Sequence, residues 1–315
     1  MAILITHPSQ LYFAGGDLGP PFEFNCVYRV DLSDLSVSSI WRSDLYLGTI
    51  QCAANTHLLA LHGGTGGGLG IIEKNDIYVL SENGIVLHHL TDVTNRLAWS
   101  PDGKRLAYCP MDRERNTPNG EIWILDAASG RKEKITETGY ELYWSHYRDV
   151  ILIWSDAVYS WDVVMRKRSL THLPISTREF SSTEEFCMND CGSSFEVCRL
   201  RDLMTEDTLT TIQGEQINGI PIWLNGHLLR TYSHRDKAYG RRWFVYDARK
   251  FHLFESKERI IAADDEDSLL AVKDGKIDRK RLDELTQVPL DRLKIELAPG
   301  VRSDANSPND AGDKK

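Results

Sequence analysis

A five-residue pattern recurs along this chain and restricts its fold more than any other feature. It reads apolar, aromatic or long, any residue, apolar, then Asp or an equivalent. Val27-Tyr28-Arg29-Val30-Asp31 is the first copy. Ile77-Tyr78-Val79-Leu80-Ser81, Ile122-Trp123-Ile124-Leu125-Asp126, Val158-Tyr159-Ser160-Trp161-Asp162 and Trp243-Phe244-Val245-Tyr246-Asp247 follow, with a weaker Val197-Cys198-Arg199-Leu200-Arg201 before the last. Their ends are separated by 50, 45, 36, 39 and 46 residues. Self-similarity at such a period marks one supersecondary unit repeated along a chain.

The clearest unit begins at Arg96. Leu97-Ala98-Trp99 is a short apolar strand, and Ser100-Pro101-Asp102-Gly103 has the composition of a type I turn. Residues 105–109 alternate as a second strand, 121–126 form a third, and 131–136 form a polar fourth after an Ala127-Ala128-Ser129-Gly130 hairpin. Trp144 and Trp223 take the place of Trp99 in other units, and Cys52 takes it in the preceding one. One such meander cannot bury both of its faces. Stacking the sheets around a ring lets each bury its aromatic side chains against the next. The expected fold is therefore all-β, a seven-bladed β-propeller of four-stranded antiparallel blades, with six blades as the alternative.

The seven units run over about 2–42, 47–92, 95–138, 140–173, 178–213, 217–256 and 259–290. In the last, 260–263, 269–272 and 276–282 supply three strands, and 286–290 is the candidate fourth. Residues 2–5 are an alternative closing strand. Helical periodicity is scarce, with room for one short turn in 283–297. The propeller is expected to occupy 1–298. Residues 299–315 hold almost no apolar side chain and read as a disordered tail.

The stretch Leu97 to Tyr108, followed by Glu121 to Asp126, resembles the repeat of TolB-type β-propellers. It is also similar to repeats in the propeller domains of dipeptidyl peptidases and prolyl oligopeptidases. The strong match covers one unit, with partial matches in the fourth and sixth. The resemblance implies a propeller alone, because no G-x-S-x-G sequence or second α/β domain accompanies it. Oligogalacturonate lyases also resemble this repeat type, but the ten His residues map onto no such metal site.

The net charge of -9 argues against a nucleic-acid or anionic-membrane partner. No apolar run approaches the roughly 18 residues of a transmembrane helix, and the N-terminus lacks a signal-peptide pattern, so a cytoplasmic location is expected. Six cysteines read as free thiols of a reducing compartment. Cys187, Cys191 and Cys198 have no standard zinc spacing, and the acidic run 264–267 lacks the Gly and distal Glu of an EF-hand. No metal and no cofactor is expected.

Connections between second and third strands are long: 15–25, 62–75, 110–120 and 233–241. The other connections within units are short. Long insertions at one end commonly build a binding surface, so the functional face is placed there. Its ligand-binding candidates are Asp17, His62, Arg113, Arg115, Arg235, Tyr239 and Arg241. Arginines from two units suit a carboxylate or phosphate. His62, His234 and Asp236 are the candidate acid–base residues, with both histidines expected where a second strand leaves its sheet. The run from His62 to Gly70 is very Gly-rich but has no P-loop or dinucleotide fingerprint, and reads as a flexible or tightly turning loop, with backbone N–H groups cradling an anion as the alternative.

Three functions remain open. The first is a non-catalytic propeller that binds a protein or peptide through the long connections. The second is a lyase or hydrolase acting on a small anionic substrate at the channel mouth. The third is a sensor or carrier of such a ligand.

Overall fold

The last residue of the repeated pattern explains itself in the turn that follows it. Asp31 Oδ1 accepts the Ser33 backbone N–H at 2.8 Å, Asp126 Oδ1 that of Ser129 at 2.7 Å, and Asp162 Oδ1 that of Met165 at 2.7 Å. Asp247 Oδ1 accepts from Arg249 and Lys250 at 2.9 and 3.1 Å, and the Ser81 hydroxyl accepts from Ile85 at 3.2 Å. A short polar side chain at a strand end thus satisfies backbone donors that the ladder no longer reaches. The preceding apolar positions alternate across the strand, so they bury against neighbouring sheets.

These units are seen in a computed structural model that describes residues 10–18, 21–53, 55–66, 72–112, 117–118, 120–136, 139–214, 217, 221–233, 242–263 and 267–301. Blade 1 holds β1 (Gln10–Ala14), β2 (Cys26–Asp31) and β3 (Val37–Arg42). Blade 2 holds β4 (Tyr46–Cys52), β5 (Leu59–Gly66), β6 (Ile72–Leu80) and β7 (Val86–Thr91). Blade 3 holds β8 (Val93–Trp99), β9 (Arg105–Asp112), the short β10 (Thr117–Pro118), β11 (Ile122–Asp126) and β12 (Lys132–Thr136). Blade 4 holds β13 (Glu141–Trp144), β14 (Val150–Trp154), β15 (Val158–Asp162) and β16 (Lys167–Leu170).

Blade 5 is built on β17 (Thr177–Phe180), β18 (Phe186–Asp190), β19 (Ser194–Arg201) and β20 (Met204–Gln213). Blade 6 is built on β21 (Ile222–Trp223), β22 (Leu228–Ser233), β23 (Arg242–Asp247) and β24 (His252–Ser256). Blade 7 has β25 (Arg259–Ala263), β26 (Ser268–Lys273) and β27 (Lys276–Arg281). The chain is almost all β, and its seven blades are arranged as a β-propeller. The six-blade alternative falls. No helix among the described residues is long and apolar enough to cross a membrane.

Uniform four-stranded blades are not what forms. The described blades have three to five strands. Residues 286–290 were expected to complete blade 7. Instead β28 (Thr286–Val288) pairs antiparallel with β24, and β29 (Ile295–Leu297) with β20. Two short 3-10 turns, Leu282–Glu284 and Leu290–Leu293, lead into these strands, where one was expected. Burial accounts for this path. Leu293 and Ile295 enter the blade 5–6 core with Phe186, Trp223, Phe244 and Tyr246, and Val288, Leu290 and Val301 pack against it. Short edge strands of this kind also cover unpaired backbone groups. Residues 2–5, and the tail beyond Val301, lie outside the described residues.

The chain divides into two compact units. The first comprises residues up to 175 with 272–278, and the second 176–271 with the chain from 279. Trp99 and Trp144 pack in the first and Trp223 in the second, all buried as the repeat requires. Within the first unit, Gln51 and Trp99 tie blades 2 and 3 together reciprocally. Gln51 Nε2 donates to the Leu97 carbonyl at 2.9 Å, and Trp99 Nε1 donates to the Gln51 carbonyl at 3.2 Å. Thr56 Oγ1 donates to the Gly103 carbonyl at 2.9 Å. The second unit repeats that last device, with Thr183 Oγ1 donating to Gly226 at 3.2 Å.

Candidate functional site

Antiparallel pairing gives each four-stranded blade two unlike ends. Trp123 faces Tyr108 and Asp126 faces Arg105, so the connection from β9 to β11 leaves opposite the Ser100 and Ala127 turns. Those turns are tight. Gly103 N–H donates to the Ser100 carbonyl at 2.8 Å, and Gly130 N–H to the Asp126 carbonyl at 2.9 Å.

At the other end, two blades of the first unit are elaborated. Residues 62–66 are strand and not loop, which corrects the sequence reading for them, while 67–70 lie outside the described residues. Residues 62–66 continue β5, with His62 opposite Ile77, Gly63 opposite Asp76 and Gly64 opposite Asn75. Glycines carry no strand signal, but Gly63 sits where the strand is crowded. A Cβ there would lie 3.2 Å from Leu45 Cβ and 3.5 Å from Leu47 Cδ2. The last β4 pairing is Tyr46 with Gly64, and the last β7 pairing is Thr91 with Asp76. The β5–β6 ribbon therefore runs past both neighbours. In blade 3, β9 continues beyond its pairing with β11 and pairs Met111 and Asp112 with β10.

His62 lies at the base of the first ribbon, within the strand rather than where the strand leaves the sheet. Its Nε2 lies 2.9 Å from Asn75 Oδ1, and Asn75 Nδ2 points to Met111 Sδ at 3.4 Å. The amide thus donates to sulfur and accepts from the ring, which assigns the proton to Nε2. Burial lowers the His62 pKa, against smaller raising effects of the Asn75 bond and the Asp76 charge. The ring is neutral at pH 7, and its Nδ1 lies towards Gly48, where a Cβ would be 3.3 Å away.

Asp17 belongs to α1 (Gly15–Leu18), a four-residue turn after β1. The described part of the 15–25 connection bonds its own blade and, through the Phe24 carbonyl accepting from the Leu47 N–H at 3.4 Å, blade 2. A Cβ on Gly15 would meet the Glu23 carbonyl oxygen at 1.9 Å, and Asn25 Nδ2 donates to the Ser43 carbonyl at 2.8 Å. Arg113, Arg115, His234, Arg235, Asp236, Tyr239 and Arg241 lie outside the described residues, so His62 is the one candidate whose side-chain surroundings are seen.

Sequence reasoning missed a second polar group in the same ribbon. Asp76 is fully buried, and its Oδ2 is 2.8 Å from His89 Nε2. His89 stacks on Tyr78 with ring centroids 4.4 Å apart. The available signal was an Asp placed one residue ahead of a repeated apolar pattern, with a His in the fourth strand opposite Tyr78.

The described residues line two open surface grooves, among others. One of about 340 Å³ lies at the tight-turn end, lined by Arg105, Arg131, Lys134, Arg166 and Trp161 among others. Its cations are matched internally: Arg105 with Asp149 at 2.8 Å, Lys134 with Glu121 at 3.0 Å, and Arg166 with Glu133. In the second unit a groove of about 450 Å³ lies beside Arg242, Glu255, Glu258 and Lys280. Arg242 pairs with Glu255, and Lys280 with Glu258 at 3.0 Å. Among the described residues no group of three or more His, Cys, Asp or Glu side chains is arranged to hold a metal.

No family model matches the sequence, and no curated protein matches it. Solved structures do. TolB from Acinetobacter baumannii aligns with a TM-score of 0.54 at 12% identity, over 78% of this chain and 63% of that one. The fold is a TolB-type β-propeller. The chain spans less than two thirds of the TolB chain it matches. The uncharacterized protein lmo1340 from Listeria monocytogenes EGD-e aligns with a TM-score of 0.51 at 10% identity, over 87% of this chain and 91% of that one. At these identities the likeness concerns the fold of a TolB-type propeller and not its ligands.

Proposed function

We propose that this TolB-type propeller is a non-catalytic interaction scaffold that takes a protein or peptide partner on the end carrying its strand 2–3 connections. One observation supports the reading above the others. In the first unit, β5–β6 and β9–β10 extend beyond their sheets at that end, while the opposite end closes in tight hydrogen-bonded turns. Paired ribbons offer a partner backbone that is already ordered, which lowers the ordering cost of binding. His62 supports the first ribbon as a neutral, hydrogen-bonded side chain and acts as a positioning residue in this scheme.

The test is affinity purification from native cells with two shortened chains. In one, 65–73 is replaced by a two-residue hairpin turn. In the other, 112–119 is treated likewise. A control carries Ala128 and Ser129 changed in the opposite turn. Loss of one stoichiometric partner in the shortened chains, with retention by the control, is the expected result. Retention by both shortened chains contradicts the proposal.

A further inference from the structure

Blade 5 carries two cysteines face to face. Cys187 in β18 is the register partner of Cys198 in β19. Directly opposed residues of an antiparallel pair place their Cα atoms about 4.5–5.5 Å apart, within the span that a disulfide bridges. Both side chains are fully buried, whereas Cys191 is exposed.

The surroundings distinguish the two sulfurs. Asn189 shares the Cys187 face of β18, and its Nδ2 donates to Cys198 Sγ at 3.3 Å. The Asn189 amide is held in that orientation because its Oδ1 accepts from Thr177 Oγ1 at 2.8 Å. On the other side of β19, Thr208 Oγ1 lies 3.7 Å from Cys198 Sγ. Asn189 and Thr177 are themselves buried. Donors aimed at a sulfur favour its thiolate. The hydrogen bond between the thiols acts in the same sense, lowering Cys198 and raising Cys187.

We propose that Cys198 and Cys187 form a peroxide-responsive dithiol, with Cys198 as the attacking sulfur and Cys187 as the resolving one. The Cys198 thiolate attacks one oxygen of a small hydroperoxide. An S–O bond forms, the O–O bond breaks, and the departing hydroxide takes a proton to leave as water. The Cys187 sulfur then attacks the sulfenic sulfur as its thiol proton passes to the departing hydroxide, which leaves as the second water. The two thiol protons appear in the water: two thiols and one hydrogen peroxide give one disulfide and two waters. The sulfurs are oxidised and the peroxide oxygens reduced. Burial selects a small oxidant over a protein disulfide. The product joins β18 covalently to β19.

The experiment uses the full chain with Cys191→Ser, so that the exposed thiol does not report. Folded protein is treated with hydrogen peroxide, alkylated, digested without reductant and analysed by mass spectrometry. The expected product is a Cys187 peptide linked to a Cys198 peptide, released by dithiothreitol. With Cys187→Ser added, dimedone present as the peroxide-treated protein is denatured traps a sulfenic acid at Cys198. With Asn189→Ala added, Cys198 oxidation slows by about tenfold. A pair that remains reduced while the protein stays folded, or that links only after denaturation, overturns the proposal whether or not the added variants fold. Faster trapping at Cys187 in a chain carrying Cys198→Ser than at Cys198 in the chain carrying Cys187→Ser overturns the assigned order.

Discussion

Asn75 orients His62. Its Oδ1 lies 2.9 Å from the ring Nε2 while its Nδ2 is turned to Met111 Sδ, so one amide links the β5–β6 ribbon to β9 of the next blade. Removing a buried hydrogen-bond partner costs about 1–3 kcal/mol. Asn75→Ala is expected to lower unfolding stability by about that amount, measured by denaturant titration. Asn75→Asp keeps the acceptor but loses the donor to sulfur, and is expected to fall between Asn75→Ala and the parent.

The same histidine produces a pH dependence with a defined sign. Burial lowers its folded-state pKa. Between that value and the unfolded value near about 6.5, the unfolded chain binds the extra proton. The His62 contribution is therefore fully present above about pH 6.5 and is lost as pH falls below it. Stability measured from pH 7.5 to 5 is expected to decline, with a shallower slope in His62→Gln. Equal slopes in the two chains would contradict the assignment.

Asp126 shows why the repeated pattern ends in a short polar residue. It accepts from the Ser129 hydroxyl and backbone, and those bonds hold its carboxyl below the usual range. Asp126→Ala is expected to cost about 0.5–1.5 kcal/mol. Asp126→Asn keeps an acceptor without the titration. Because the folded pKa is depressed, the carboxylate's contribution is present above the unfolded pKa and lost as pH falls through the folded one. Stability curves for the Asp126→Asn variant and the parent chain should separate at neutral pH and converge in acid.

Gly84 and Gly192 separate backbone strain from collision. Both have positive φ, +79° in each case. A Cβ at Gly84 would meet the Ile40 carbonyl oxygen of blade 1 at 2.1 Å, whereas at Gly192 nothing lies within 4 Å. Gly192→Ala is expected to cost about 1–2 kcal/mol from the left-handed conformation alone. Gly84→Ala should cost more, because the neighbouring atom is backbone and cannot rotate away. Equal thermal shifts would contradict the close approach.

The C-terminal strap is expected to matter for folding. Leu293 is buried in the blade 5–6 core, and Leu293→Ala should cost about 2–5 kcal/mol. A chain ending at 284 loses β28 and β29 and leaves the edges of β24 and β20 open. It is expected to aggregate, as judged by light scattering during purification.

Legibility followed side-chain signal. Trp99, Trp144, Trp223 and the strand-end Asp residues announce their blades because these units bury an aromatic and cap a turn in the same way. Gly63 and Gly64 announce nothing, although their pairing sets the length of β5. The three-residue β28 and β29 are too short to alternate, and only the core beneath them decides which blade they join. Cys187 opposite Cys198, and Asp76 beside His89, depend on register, which a single chain does not print. Of the candidate site, the strand character of residues 62–66 was not legible.

Hydrogen–deuterium exchange of the full chain with and without its captured partner tests the central claim most directly. The account predicts slowed exchange at 62–66, 72–75 and 108–112, with the turns at 100–103 and 127–130 unchanged. Protection confined to those turns, or to the grooves beside Arg131 and Lys280, would contradict it.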